Sequence, residues 1–210
     1  NESFPQFTVV SNESIRFGLA AVKNVGQTAI DAIIQGRIKQ DRFKSFFDLT
    51  EHVDLRVVNK KVLESLIKCG AFDSMGTYRS QLNSVLDKAL SIGGDIQKDR
   101  ESGQKSFFDA LAGDQSFNNN FQTIPNVPEW SETERLLNEK EMLGFYVTGH
   151  PLDKYKKELK SYSTASTETM GLRRDGEEVI TGGLVSKLKF TQTKRNNEKI
   201  AKEKRKFCPS

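Results

Sequence analysis

The chain has few cysteines and no long apolar run. No segment approaches the roughly 18 to 20 apolar residues that a membrane-spanning helix needs, and the mean hydropathy is −0.57. Only two of the 210 residues are cysteines, Cys69 and Cys208, and neither belongs to a C-x-x-C or Cys/His cluster. A disulfide framework and a cysteine-rich metal site are therefore excluded. The sequence predicts no membrane segment and a reducing, cytoplasmic environment.

The N-terminus has neither a start methionine nor the pattern of a signal peptide. We therefore expect the chain to be a piece of a longer protein. Catalytic motifs are also missing: the sequence contains no D-x-D pair for two divalent ions, no P-loop and no H-x-x-x-H spacing. It predicts no metal site, no cofactor and no independent catalysis in this chain.

The positive charge is concentrated at one end of the chain. The formal net charge is +4, yet residues 190–210 carry a net +5, which leaves −1 for residues 1–189. A global basic balance is thus no evidence that the folded part binds nucleic acid, and any phosphate site must be identified locally.

The hydrophobic pattern changes three times along the chain. The 3.6-residue apolar spacing predicts helices over residues 15–90. Residues 91–128, with glycines, prolines and an Asn run, indicate a flexible linker. Residues 129–177 form a helical connector that a capping box opens at Ser131 and Gly144 could close. Residues 178–210 indicate the first strands of a β domain that the chain is too short to complete.

A short pattern occurs twice in the helical region. Residues 22–26 (VKNVG) and residues 66–70 (LIKCG), 44 positions apart, each contain an apolar residue, two variable residues and an apolar or small residue before glycine. Such a hairpin can present the free amides of a following helix to a DNA phosphate. It is equally typical of an ordinary connection between two helices that binds no ligand.

A pentapeptide, KSFFD, also occurs twice, at residues 44–48 and 105–109. The first copy lies in the helical region, where its phenylalanines are expected in the core. The second follows Gly103 and Gln104 in the predicted linker, where adjacent aromatics indicate a partner's pocket. The alternative is that Phe107 and Phe108 fasten the linker onto the helical domain.

Three segments closely resemble the bacterial DNA polymerase III alpha subunit family: residues 15–26 (IRFGLAAVKNVG), 58–73 (VNKKVLESLIKCGAFD) and 143–152 (LGFYVTGHPL). The resemblance covers roughly residues 1 to 192. It implies a mainly α architecture: a tandem helix-hairpin-helix domain (1–90), a linker with a sliding-clamp motif (91–128), a helical connector (129–177) and the start of an incomplete OB-fold (178–210).

The resemblance also implies functional residues. The hairpins would hold the backbone of product duplex DNA without reading bases, through Lys23, Asn24, Val25, Gly26, Gln27, Thr28, Lys68, Cys69, Gly70 and Ala71. Cys69 is expected to act as a small buried residue, not a reactive thiol. Gln104, Phe107 and Phe108 would bind the hydrophobic groove of the bacterial sliding clamp, the beta subunit.

The resemblance places the family's catalytic palm outside this chain, so this chain alone would be inactive. The longer protein would be a DNA-directed DNA polymerase that uses Mg²⁺ and assembles with other replicative holoenzyme subunits. Two alternatives remain. One is a stand-alone helix-hairpin-helix DNA-repair protein. The other is an interaction scaffold that never touches DNA, which the −1 charge of residues 1–189 favours.

Overall fold

The computed structural model describes residues 1–102, 123–185, 188–189, 191–192 and 199–200, and these are mainly helical. They fall into two units, Asn1–His150 and Pro151–Ser210. The division lies within the predicted connector, and each unit is considered by itself.

The first unit begins with an antiparallel hairpin of β1 (Thr8–Ser11) and β2 (Ser14–Arg16). Its helices are α1 (Gln27–Gln40), α2 (Phe46–His52), α3 (Lys60–Lys68), α4 (Arg79–Ser102) and α5 (Glu132–Leu143). Single 3₁₀ turns, Leu19–Ala21 and Asp73–Met75, precede α1 and α4.

Side-chain caps define several helix starts. The Ser45 hydroxyl accepts the Asp48 amide at 3.1 Å, and the Asn59 side chain accepts the Val62 amide at 3.2 Å. The predicted start of α5 at Ser131 is confirmed, since Ser131 Oγ accepts the Glu134 amide at 3.2 Å, which is the N-cap half of the predicted capping box. Gly144, at φ 86°, ends the same helix in the left-handed conformation that glycine adopts at low cost.

The core lies where α2, α3 and α4 meet, and it uses the apolar positions that the helical spacing predicted. Phe46 and Phe47, from the first KSFFD copy, are each 1% exposed, so this copy is structural. The core residues contributed by the 58–89 stretch are Val58, Val62, Leu63, Leu66, Ile67, Phe72, Leu82, Val85, Leu86 and Ala89.

Ile15 and Arg16 belong to strand β2 of the hairpin, although the sequence predicted helix from residue 15 onward. The strands of this hairpin are rich in β-branched residues around a tight turn, which favours a hairpin over a helix. The cross-strand pair Val9 and Ile15 is 74% and 69% exposed. The hairpin therefore adds little to the core.

Helix α4 continues to Ser102, so residues 91–102 are helical although the sequence predicted linker there. Gly93, one of the glycines that suggested a linker, is buried inside this helix. A Cβ at this position would lie 2.5 Å from the Thr50 carbonyl oxygen. Glycine is thus required for the close crossing of α2 and α4. A glycine that indicates a loop in sequence is here a packing residue within a helix.

The second unit contains α6 (Lys156–Tyr162), the predicted lysine-rich helix, preceded by a 3₁₀ turn at Asp153–Tyr155. Thr164 and Ile180 are joined by reciprocal hydrogen bonds of 2.9 Å. Among the described residues, the strand pairing of this unit is β3 (Thr191–Gln192) with β4 (Lys199–Ile200), and residues 178–185 form no strand. The OB-fold start stays a prediction.

Candidate nucleic-acid interface

The first hairpin places the start of α1 at the surface. Val22 and Val25 are buried, and between them Asn24 adopts φ 66°, the left-handed conformation that its short polar side chain tolerates. Asn24 Nδ2 also donates to Ser65 Oγ of α3 at 3.1 Å, which holds the turn against the neighbouring helix. The turn is therefore held in one defined conformation.

The first amides of α1 are available to a ligand. Gly26 is the N-cap and has no side chain with which to cap the helix, so none of these amides is used internally by a cap. Ala29 and Ile30 donate to the Gly26 carbonyl at 3.1 Å, while Gln27 and Thr28 are exposed and precede the first intrahelical bond. Free amides and the positive end of the helix dipole suit a phosphate group.

Lys23 is engaged by helix α5. Its amide donates to the Met142 carbonyl at 2.9 Å, and its ammonium lies 3.7 Å from Glu141. The amide is therefore unavailable to a phosphate, and the half-exposed ammonium is already beside a carboxylate. Of the residues predicted in the first hairpin, Gly26 and Thr28 are exposed and open, whereas the Gln27 side chain donates to Asp31 at 2.8 Å and leaves only the Gln27 backbone amide open.

The second hairpin has a different structure, although its sequence pattern is similar. The Gly70 amide donates to the Ile67 carbonyl at 3.0 Å and the Ala71 amide to the Leu66 carbonyl at 3.0 Å, while Gly70 has φ 81°. These two bonds form a Schellman motif, which closes the C-terminus of α3. The amides that the sequence predicted as phosphate donors are thus consumed.

Two side chains of the second hairpin are also occupied. The Lys68 ammonium pairs with Glu64 at 2.7 Å. Burial raises the pKa of the Cys69 thiol to about 11, so the thiol stays neutral, and its Sγ donates to the Leu66 carbonyl at 3.3 Å. Cys69 is a packing residue of the turn, in agreement with the sequence interpretation.

Arg79 is the central residue of a buried polar network that the sequence did not reveal. Its guanidinium is 4% exposed and reaches Asp73 at 2.6 Å and Glu139 at 2.9 Å. It also covers Gly70, where a Cβ would overlap the guanidinium and lie 2.7 Å from Asp73 Oδ2. Desolvation lowers the pKa of Arg79, but its carboxylate partners outweigh that effect and raise it.

Glu139 connects this network to the residues that follow α5. Its carboxylate is fully buried, and one oxygen accepts the amides of Val147 at 2.8 Å and Thr148 at 3.0 Å. Burial alone would raise its pKa, but these amides and Arg79 hold the pKa of Glu139 below its ordinary value. The charged carboxylate is therefore the structural form.

Glu129 plays a similar role at the start of α4. Its carboxylate accepts the amides of Arg79 at 3.0 Å, Ser80 at 3.1 Å and Trp130 at 2.8 Å. Burial opposes the charge, but the amides outweigh it and lower the pKa of Glu129. A carboxylate distant in sequence thus caps the positive end of α4. No local motif signals this cap, because two of its donors lie some fifty positions away.

The clamp-binding residues predicted from sequence, Gln104, Phe107 and Phe108, lie outside the described residues. Among the described residues, no cluster of three or more His, Cys, Asp or Glu side chains is suited to a metal ion. The described helices also include none that is long and apolar enough to cross a membrane.

A family model described as "Helix-hairpin-helix motif" matches residues 1–82. The relatives include the DNA polymerase III subunit alpha of Borreliella burgdorferi, 41% identical over 205 residues, which are 96% of this chain and 17% of the relative. The subunit of Vibrio cholerae is 35% identical over 93% of this chain, and that of Escherichia coli K12 is 34% identical over 94%. In each case the chain spans 17% of the relative's length.

Proposed function

The chain belongs to the DNA polymerase III subunit alpha family, and from this premise we propose that it holds the backbone of product duplex DNA and tethers the polymerase to its sliding clamp. The observation that carries the DNA part is the first hairpin. It leaves the amides of Gln27 and Thr28 at the positive end of a 14-residue helix.

Such binding reads no bases. Amides and cations hold phosphates irrespective of sequence, and the affinity falls as salt rises because counterions are released. The two hairpins contribute unequally in this proposal, since the second uses its amides to close α3. The interaction scaffold without DNA contact is the competing function, favoured by the carboxylates beside Lys23 and Lys68.

Thr28→Asp tests the DNA function because it separates binding from folding. A carboxylate in the first turn of α1 stabilises the helix by about 0.3–1 kcal/mol, but it repels a phosphate at the same position. We expect duplex affinity, measured by fluorescence anisotropy, to fall about tenfold or more, with an unchanged or raised Tm.

Thr28→Asn is the matched control, since it has similar size and no charge, and it should bind like the unchanged chain. Equal duplex affinity of the Asp and Asn variants would show that the first hairpin is not part of the DNA interface. Absence of duplex binding by the unchanged chain at low salt would favour the scaffold.

The clamp tether rests on the second KSFFD copy. Gln104 would hydrogen-bond while Phe107 and Phe108 fill the groove of the bacterial sliding clamp. The first copy adds no support to this assignment: its phenylalanines are buried in the core, so the repeat by itself does not make a binding motif. What distinguishes the second copy is Gln104 and its position in the sequence.

Calorimetric titration of the chain into a purified clamp tests the tether. We expect a micromolar affinity, on the order of −8 kcal/mol, which Phe107→Ala with Phe108→Ala abolishes. The control is Ile38→Ala with Leu172→Ala, which removes two apolar side chains that are 66% and 84% exposed. Binding that survives the Phe107/Phe108 change would reduce this pair to a structural role.

The relatives are much longer than this chain, so the proposal extends to a longer parent protein. The parent protein would be a DNA-directed DNA polymerase in the cytoplasm that works with Mg²⁺ and further replicative subunits. In this chain we assign no residue to the nucleotidyl transfer itself. Its role is to keep the polymerase on its product.

A further inference from the structure

A basic cleft lies beside the second hairpin. It has a volume of about 440 Å³, and its walls come from four separate parts of the chain: the N-terminal segment, the end of β2, the connection before α2 and the turn after α3. Arg16, Arg42 and Lys44 supply the cations of the cleft, and Ala71 and Ser74 of the second hairpin line it.

The backbone that carries Arg42 and Lys44 is held in place by its neighbours. Phe43, between Arg42 and Lys44, is 3% exposed, and its backbone amide and carbonyl are both bonded to the Asn1 side chain at 2.9 Å. The Lys44 amide donates to Asp48 at 2.7 Å in the cap of α2. The backbone that carries the two cations is therefore fixed, while both side chains are exposed.

One carboxylate already occupies the cleft. Glu2 pairs with Arg16 and, at 3.4 Å, with Arg42. Among the described residues, no acidic side chain pairs with the Lys44 ammonium. The charged side chains that line the cleft, Glu2 included, thus sum to +2.

The turn of the second hairpin offers much less to a phosphate. Its Gly70 and Ala71 amides close α3, and Lys68 pairs with Glu64. The cleft adjoins the same turn through Ala71 and has the cations that the turn lacks.

We propose that the second hairpin region holds duplex DNA through this cleft, where Arg42 and Lys44, together with Arg16, bind backbone phosphates while the turn itself makes no direct phosphate contact. Glu2 is the internal competitor that a phosphate displaces. This inference rests on the proposed duplex binding and changes the residues that perform it.

Fluorescence anisotropy on the full chain, with a labelled duplex and a single strand of the same length, tests the cleft. Arg42→Gln with Lys44→Gln should weaken duplex binding, and the slope of log affinity against log salt should fall by about 2. Glu2→Gln should act in the opposite direction and tighten binding about two- to fivefold, since it frees two arginines from a surface ion pair. Lys68→Gln should leave affinity within about twofold.

The charge-matched control is Lys88→Gln with Lys157→Gln, two exposed lysines outside the cleft. If the Arg42/Lys44 change has no more effect than this control while Thr28→Asp still weakens binding, the cleft is overturned and duplex binding stands. If the unchanged chain binds no duplex, the proposed function itself fails. Weaker binding by Glu2→Gln, or an equal loss on single strand and duplex, would also overturn the assignment to duplex phosphates.

Discussion

At the scale of single residues, the notable feature is a set of carboxylates that act as backbone acceptors. Glu129 and Glu139 together accept five amide hydrogen bonds, and Glu139 also pairs with Arg79. These amide donors offset the cost of burying the negative charge. Such residues hold distant segments together.

Removing the Glu139 charge should be costly. In Glu139→Ala, Arg79 loses a buried partner and two amides lose their acceptor, so we expect the free energy of unfolding to fall by about 3–5 kcal/mol. Urea denaturation measures this change. Glu132→Ala, an exposed carboxylate in the first turn of the same helix, is the control and should cost no more than about 1 kcal/mol. A small loss in Glu139→Ala would mean that water replaces the carboxylate.

The same carboxylates predict acid sensitivity. Their folded pKa values lie below the unfolded value of about 4.3 for glutamate, so their contribution is fully present above that pH. It is lost as the pH falls through the folded pKa. Thermal unfolding of Glu129→Gln and of the unchanged chain should therefore differ most at neutral pH and converge as the pH falls from about 4.3 through the lower folded pKa. A difference in Tm that does not change with pH would show that the charge of Glu129 is not the cause.

At the scale of elements, two similar patterns form different structures. Asn24 begins a turn that leaves the α1 amides open, whereas Gly70 begins a Schellman motif that closes α3. The two hairpins differ in how soon the next helix begins: α1 starts directly after Gly26, but a 3₁₀ turn and further residues separate Gly70 from α4. Spacing alone predicted equivalent hairpins, because it does not show which carbonyl each amide meets.

The α2–α4 crossing gives an element-scale prediction with a built-in control. Gly93→Ala places a methyl group 2.5 Å from the Thr50 carbonyl oxygen and should destabilise the fold by about 1–3 kcal/mol. Gly94→Ala meets nothing within 4 Å and should stabilise α4 by about 0.5–1 kcal/mol. The two variants differ by one position, so urea denaturation should give changes of opposite sign. Equal effects would contradict the close crossing.

At the scale of the whole molecule, the core belongs to one unit. The main hydrophobic cluster extends from Val22 to Met142, and all of its buried members lie within Asn1–His150. The first unit thus has the apolar burial that independent folding requires.

We expect residues 1–150 to fold alone. Their thermal transition should lie within a few degrees of the corresponding transition of the full chain, and duplex binding should retain its Thr28 dependence. Circular dichroism and anisotropy measure the two properties. A broad transition or loss of protection from proteolysis would show that the second unit is needed for the fold.

The sequence by itself determined the helical class, the core positions of α3 and α4, the caps at Ser131 and Gly144 and the family. These depend on local spacing and side-chain type, which a linear chain displays directly. Only the tertiary structure decided that Gly93 is a crossing point, that Glu129 caps α4 and that cations converge beside the second hairpin. Each of these joins residues far apart in sequence, and the packing that brings them together results from burial of the whole core, not from any local pattern.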